Sequence, residues 1–268
     1  MRPFILAVFV LIALLTACNA EEKKSNETDA QEALPTLTSG QDTIKESYLS
    51  KDYLMGKFNP ATHEDFSKIE DRYTSKKDIY MRTDAYEAYM EMVDAAAKEG
   101  IEFKIVSATR PFDYQKGIWE RKWNGITKVS GKDLTVSHPG FAQRALKILE
   151  YSSMPGTSRH HWGTDIDLNN LENDYFETGK GLKEYEWLEA NAGSFGFCQV
   201  YSEKGEDRPY GYNMEKWHWS YLPVSTKLTE FASTQMNNED IKGFDGDNTT
   251  DSIDVLNKYV LGINPNCN

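Results

Sequence analysis

Basic clusters are missing from this chain. It carries 42 acidic against 30 basic residues, a formal net charge of −12, and no Lys/Arg-dense stretch interrupts that balance. This argues against nucleic acid or an anionic membrane surface as partner. Cysteine is scarce: there are three, and none forms a Cys-x-x-Cys pair, which disfavours a cysteine-ligated metal or redox site. No internal repeat appears, and no apolar run beyond the first fifteen residues approaches membrane-spanning length. The acidic stretch 244–251 (Asp245, Asp247, Asp251) lacks the twelfth-position glutamate of a calcium-binding EF-hand and reads as a solvated turn.

What is present begins with Arg2 and an apolar run from Phe4 to Leu15, which together read as a secretory signal. The run ends in Leu15-Thr16-Ala17-Cys18, which resembles a bacterial lipobox, so Cys18 is the expected lipidation site and residues 1–18 the expected signal. The alternative is an ordinary cleaved signal with a chance cysteine. Asn19 is not the aspartate that retains lipoproteins at the inner membrane, which favours an outer-membrane, periplasm-facing location. Residues 19–47 are polar and poor in large apolar side chains, so they read as a flexible tether. Roughly 220 residues remain, enough for one sizeable core, and fifteen Tyr, twelve Phe and six Trp supply the apolar bulk. With Cys18 set aside, Cys198 and Cys267 are an even pair. They suggest a disulfide closing the C-terminal tail onto the core, with two separate thiols as the alternative.

Apolar residues at spacings of three and four (Tyr86, Tyr89, Met90, Val93, Ala96, Ala97) predict a helix over 83–99, stopped by Gly100. Ile101, Phe103 and Ile105 alternate with charged residues, predicting a strand that runs into Ser107-Ala108-Thr109-Arg110-Pro111 and places Arg110 at a strand-to-helix junction. Helices follow at 112–123, from His138-Pro139-Gly140 through Leu149, and at 184–192. Short strands are expected at 163–168, 197–201 and 217–222, ending at Pro223. After Pro223 the signal weakens until Ile253, Leu256, Tyr259 and Val260 suggest a last amphipathic helix. There is no regular βαβ rhythm. The expected fold is α+β, a small, mainly antiparallel sheet flanked by helices.

Two short runs carry the chemistry: Ser158-Arg159-His160-His161-Trp162-Gly163-Thr164-Asp165-Ile166-Asp167 and Glu215-Lys216-Trp217-His218-Trp219. Two imidazoles and one carboxylate fill three corners of a zinc tetrahedron and leave the fourth for water. A glutamate three residues before the last histidine can take that water's proton, as an amide hydrolase requires. On a strand, Asp165 and Asp167 share a face while Ile166 points to the core, so either aspartate could bind metal. Adjacent His160 and His161 point apart, so one of them is a ligand. Trp217 and Trp219 would pack beneath the sheet, opposite His218. Trp119, Trp123, Trp162 and Tyr212 are candidates for the cleft or for the core.

The pattern Ser-x-His-x-x-Gly-x-x-x-Asp followed by Glu-x-x-His-Trp resembles the D-alanyl-D-alanine carboxypeptidase family of zinc peptidases, whose fold is also that of hedgehog signalling domains. The resemblance spans Tyr48 to Pro223 and includes Ser107-Ala108-Thr109-Arg110 with Gln115. It implies a catalytic domain at 48–223, with 224–268 as an extension packing on it. It implies Zn²⁺ held by His160, Asp167 and His218, with Glu215 as catalytic base and Arg110 steadying the substrate carbonyl. Ser158 and Gln115 match positions that hold the peptide or its terminal carboxylate. The family often has alanine where this chain has Asp165, which leaves Asp165 as a rival ligand or an acceptor for a ligand histidine. The implied substrate is a peptidoglycan stem peptide cut at its C-terminal D-alanine, with the membrane reached through the lipid anchor alone. The rivals are an L,D-carboxypeptidase, an endopeptidase, or a non-catalytic peptidoglycan-binding lipoprotein with a structural zinc.

Overall fold

The structure, a computed structural model, describes residues 48–267. The expected signal, Cys18 and the tether lie outside the described residues. Six strands are β1 (Phe66–Lys68), β2 (Tyr80–Arg82), β3 (Ile105–Ser107), β4 (Asp165–Leu168), β5 (Phe197–Cys198) and β6 (His218–Tyr221). The helices are α1 (Lys51–Leu54), α2 (Thr83–Lys98), α3 (Phe112–Trp123), α4 (Leu134–Ser137), α5 (Phe141–Ile148), α6 (Gly179–Asn191), α7 (Leu222–Gln235) and α8 (Thr250–Ile253). β1 and β2 form a small ribbon, and the main sheet has the order β3-β4-β6-β5, antiparallel throughout. This is the mixed, mainly antiparallel architecture read from the sequence.

Helix α2 follows its apolar periodicity. Asp84 lies in its first turn, where an acid suits the helix dipole, and it also takes a two-pronged contact from Arg82. Ala85, Tyr86, Tyr89, Met92 and Ala96 face the core. The buried face is rotated slightly from the sequence expectation, because Met92 is buried while Val93 is half-buried and Ala97 exposed. The expected strand from Ile101 pairs only over Ile105–Ser107. Upstream, the Lys104 N–H donates to the Asn169 side chain rather than to a strand. The strand expected to run to Pro223 ends at Tyr221, and Pro223 sits in the first turn of α7, where its fixed φ suits a helix start. A proline read as a stop therefore concealed a 14-residue helix.

The buried apolar residues gather in two clusters. One gathers Tyr89, Met92, Phe103, Ile105, Ile166, Leu168, Trp217 and Trp219. The other joins Trp119, Trp123 and Trp162 to Val224, Leu228, Phe244, Ile253, Leu256 and Val260 of the chain after β6. The three tryptophans are therefore core. Cys198 and Cys267 form a disulfide that ties the last turn of chain to β5. The acidic stretch turns its carboxylates to local donors, Asn124 Nδ2 to Asp245 and the Gly243 N–H to Asp247.

Candidate metal centre

The turn before β4 sets the site. Arg159–Trp162 form a 3₁₀ turn that Gly163 closes at φ 74°; a Cβ there would lie 2.4 Å from the Phe66 ring, so glycine is required twice over. The turn delivers His160 to the sheet, and register does the rest. Asp167 pairs across to His218 on β6 and to Ser107 on β3, while Asp165 pairs with Ser220. Arg110 is fixed next to them because its N–H donates to the His160 carbonyl, 3.0 Å.

Three donor atoms converge at this point, from His160, Asp167 and His218, all of them buried. His160 Nε2 is 3.3 Å and His218 Nδ1 3.1 Å from Asp167 Oδ1. Tetrahedral ligands at Zn–N and Zn–O bonds of ~2.1 Å lie ~3.4 Å apart, so the spacing suits zinc. The surrounding hydrogen bonds fix which nitrogen faces inward. His160 Nδ1 donates to the Ala108 carbonyl, 2.8 Å, leaving Nε2 with its lone pair. His218 Nε2 donates to Asp165 Oδ2, 2.8 Å, leaving Nδ1 free. Asp167 Oδ1 is buried with no hydrogen-bond partner. Two lone pairs and a carboxylate oxygen aimed at one point repel unless a cation sits there. Burial opposes a proton on His218, but the contacts with Asp165, Asp167 and Glu215 outweigh it and hold the imidazole well above its ordinary pKa. The same negative field suits a divalent ion, so the residues fit Zn²⁺.

The fourth side of the site is Glu215, whose Oε2 lies 3.3 Å from His218 Nδ1. Its carboxyl is pushed up by burial, against the pull of His218. Arg110 reaches in from the end of β3, with NH1 3.7 Å from Asp167 Oδ2 and 3.0 Å from Ser107 Oγ. These groups line a cleft of about 630 Å³, with Tyr201 and Tyr212 also in its wall. The Tyr201 ring packs 4.6 Å from that of His218.

Asp165 is an acceptor, in the role left open for it by the sequence. It takes His218 Nε2 and Arg159 Nε (3.1 Å) on one oxygen and the Thr164 and Ser220 hydroxyls (2.7 Å each) on the other. Arg159 goes on to Thr229 and Ser220, so a fully buried network stands behind His218. Sequence reasoning missed Arg159, Tyr201 and Lys122. Only Arg159 offered a signal, by lying next to His160. His161 is buried and held near pKa 3 by desolvation. The neutral ring donates Nδ1–H to the Arg110 carbonyl and accepts the Gly156 N–H at Nε2, 3.0 Å, bracing the loop. Ser158 is fully buried with an unpartnered hydroxyl, and Gln115 gives its amide N–H to the Ser153 carbonyl, 2.7 Å. Neither is among the residues lining the cleft.

A His-Asp-His cluster with a free corner and a glutamate beside it defines the class of metal-dependent hydrolases. Within that class the chain belongs to the VanY D-alanyl-D-alanine carboxypeptidase family, whose model matches residues 78–224. It is similar to the putative carboxypeptidase YodJ of Bacillus subtilis, 28% identical over 219 residues, covering 76% of this chain and 73% of that protein. It is also similar to a D-alanyl-D-alanine carboxypeptidase of Enterococcus faecalis, 27% identical over 140 residues, covering 52% of this chain and about half (47%) of the relative. Among solved structures, the L,D-carboxypeptidase LdcB aligns at TM-score 0.47 and 27% identity over 65% of this chain and 75% of its own. A vancomycin-resistance VanY solved with Zn(II) aligns at 0.43 and 22%, over 62% and 93%.

Proposed function

We propose that this protein is a zinc-dependent D-alanyl-D-alanine carboxypeptidase that trims peptidoglycan stem peptides. The observation that carries the reading is the placement of Glu215, at the open side of the three converging donors and inside the cleft. His160, Asp167 and His218 would hold the ion. When bound, zinc supplies Lewis acidity that lowers the pKa of water from ~16 toward ~7. Glu215 takes one proton from the attacking water at Oε2 and returns it to the leaving amine as the amide C–N bond breaks and the new C–O bond completes the carboxylate. Arg110 directs its guanidinium toward the carbonyl oxygen that gains charge. His161 and the Asp165–Arg159 network hold these groups in place.

Incubating zinc-loaded protein with defined muropeptides and weighing the products tests the reading. The expected product is a pentapeptide stem shortened by one alanine, with turnover abolished by a chelator and restored by Zn²⁺. Shortening of tetrapeptides, or opening of cross-linked dimers with pentapeptides left intact, would replace the D,D assignment.

We also propose that Cys18 carries lipid and that the domain faces the periplasm. Support comes from the apolar run and Leu15-Thr16-Ala17-Cys18 alone; among the described residues no helix is long and apolar enough to cross a membrane. Labelled fatty acid should enter the wild-type protein and be absent from Cys18→Ser. Equal labelling of both would remove Cys18 from the account.

A further inference from the structure

The last turn of α3 sends a lysine into the metal cleft. Lys122 lines the cleft with Arg110, Ser152, Ser153 and Glu215, whereas its neighbour Arg121 is exposed. A last-turn lysine is favoured by the helix dipole when it stays in solvent; this one leaves it. Its ammonium has three donors. One goes to Ser152 Oγ, and the described interactions include no ion pair between Lys122 and a carboxylate. Burial pulls its pKa down, and the charge of Arg110 pulls it further. Lys122 and Arg110 therefore face the same partly enclosed space. Asp167 lies 3.7 Å from Arg110, and the Glu215 charge opposes the fall at Lys122 from a distance, but among the described interactions no carboxylate pairs with the Lys122 ammonium. A third cation, Lys128, stands in the lining of the same cleft. The remaining acids of the lining are Asp167 and Glu215 at the metal centre and Glu172 and Asp174 on the loop after β4. Holding an ammonium out of water is costly unless an anion meets it.

We propose that Lys122, with the Ser152 hydroxyl beside it, is the anchor for a carboxylate of the bound peptide and thereby selects which peptides this cleft accepts. The inference rests on the peptidase reading and deepens it. An anchored terminal carboxylate would make the protein an exopeptidase, because a cross-linked or amidated end has no charge to offer. An anchored internal carboxylate would instead select peptides by an acidic residue upstream of the cut.

Three peptides separate the cases: the free acid, its C-terminal amide, and the free acid with its internal carboxylate amidated. For wild-type protein, kcat/KM should fall about 10–100-fold on whichever peptide has lost the anchored charge, the span of one hydrogen-bonded charge pair. Lys122→Met should erase that discrimination, chiefly through KM, and Lys122→Arg should retain most of it. Dissociation constants for the same peptides, measured on zinc-loaded Glu215→Ala with and without Lys122→Met, read the same ratio without turnover. A discrimination that persists undiminished in Lys122→Met, or a wild type with no preference among the three, overturns the proposal. Cleavage without a Lys122-dependent ratio sinks this inference and leaves the peptidase reading. A Lys122-dependent ratio in binding without cleavage does the reverse.

Discussion

Glu215→Ala is expected to lower kcat/KM for release of terminal alanine by about 10²–10⁴-fold while leaving zinc content and folding unchanged. The reasoning is positional. Glu215 lies beside the donors and is not one of them, its Oε2 being 3.3 Å from His218 Nδ1. Removing it takes away the proton acceptor and leaves the metal's grip. Its backbone does not depend on the side chain, since Glu215 N–H donates to the Tyr201 carbonyl, 3.0 Å, and the Glu215 carbonyl accepts the Gln199 amide and the His218 N–H. The loss should fall on kcat, because the interaction is made to the reacting proton rather than to the peptide at rest. Metal analysis and unfolding should match wild type. If zinc-loaded Glu215→Ala turned over at the wild-type rate, Glu215 would be a structural acid and the proposed mechanism would fail.

The parts of this site that were legible before the structure share one physical property: local periodicity. Asp165 and Asp167 fall on one strand face and Ile166 on the other, and Trp219 beside His218 lies in the core, whereas Trp217, just before β6, is buried against the core yet also lines the cleft. Alternation along an extended backbone dictates that much. Helix α2 was legible for the same reason, with a different period. Choosing between the two aspartates was beyond any local rule, because both point the same way. The choice is made by register, which sets Asp167 against His218 and Asp165 against Ser220. Arg159 stood next to His160 in the sequence, but its full role could not be read there, since one of its partners, Thr229, is seventy residues away on α7, the helix hidden behind Pro223. Lys122 looked like an ordinary end-of-helix cation. Its meaning depends on Ser152 and Arg110, which tertiary packing alone brings to the same cleft.

The larger structural effect is expected at Asp165. Its carboxylate and the Arg159 guanidinium are both buried, 3.1 Å apart, with side-chain exposures of 0% and 1%. Burial would push the Asp165 carboxyl up, but the charge of Arg159 and the hydrogen bond from His218 outweigh it and hold Asp165 ionised. Asp165→Ala would strand the arginine in the core, a change that costs about 3–5 kcal/mol when one member of a buried pair is lost. It would also release His218 Nε2–H from its acceptor, and losing such an orienting partner typically weakens metal affinity ~10–100-fold. The two effects can be pulled apart. Pairing Asp165→Ala with Arg159→Met removes the stranded charge, so denaturant unfolding of the double variant should recover much of the stability. Zinc affinity, measured by competition with a chelating dye, should stay low, because His218 still lacks its carboxylate. If the double variant recovered zinc affinity along with stability, Asp165 would matter only to the fold, and the idea that it orients the His218 ring toward the metal would be wrong.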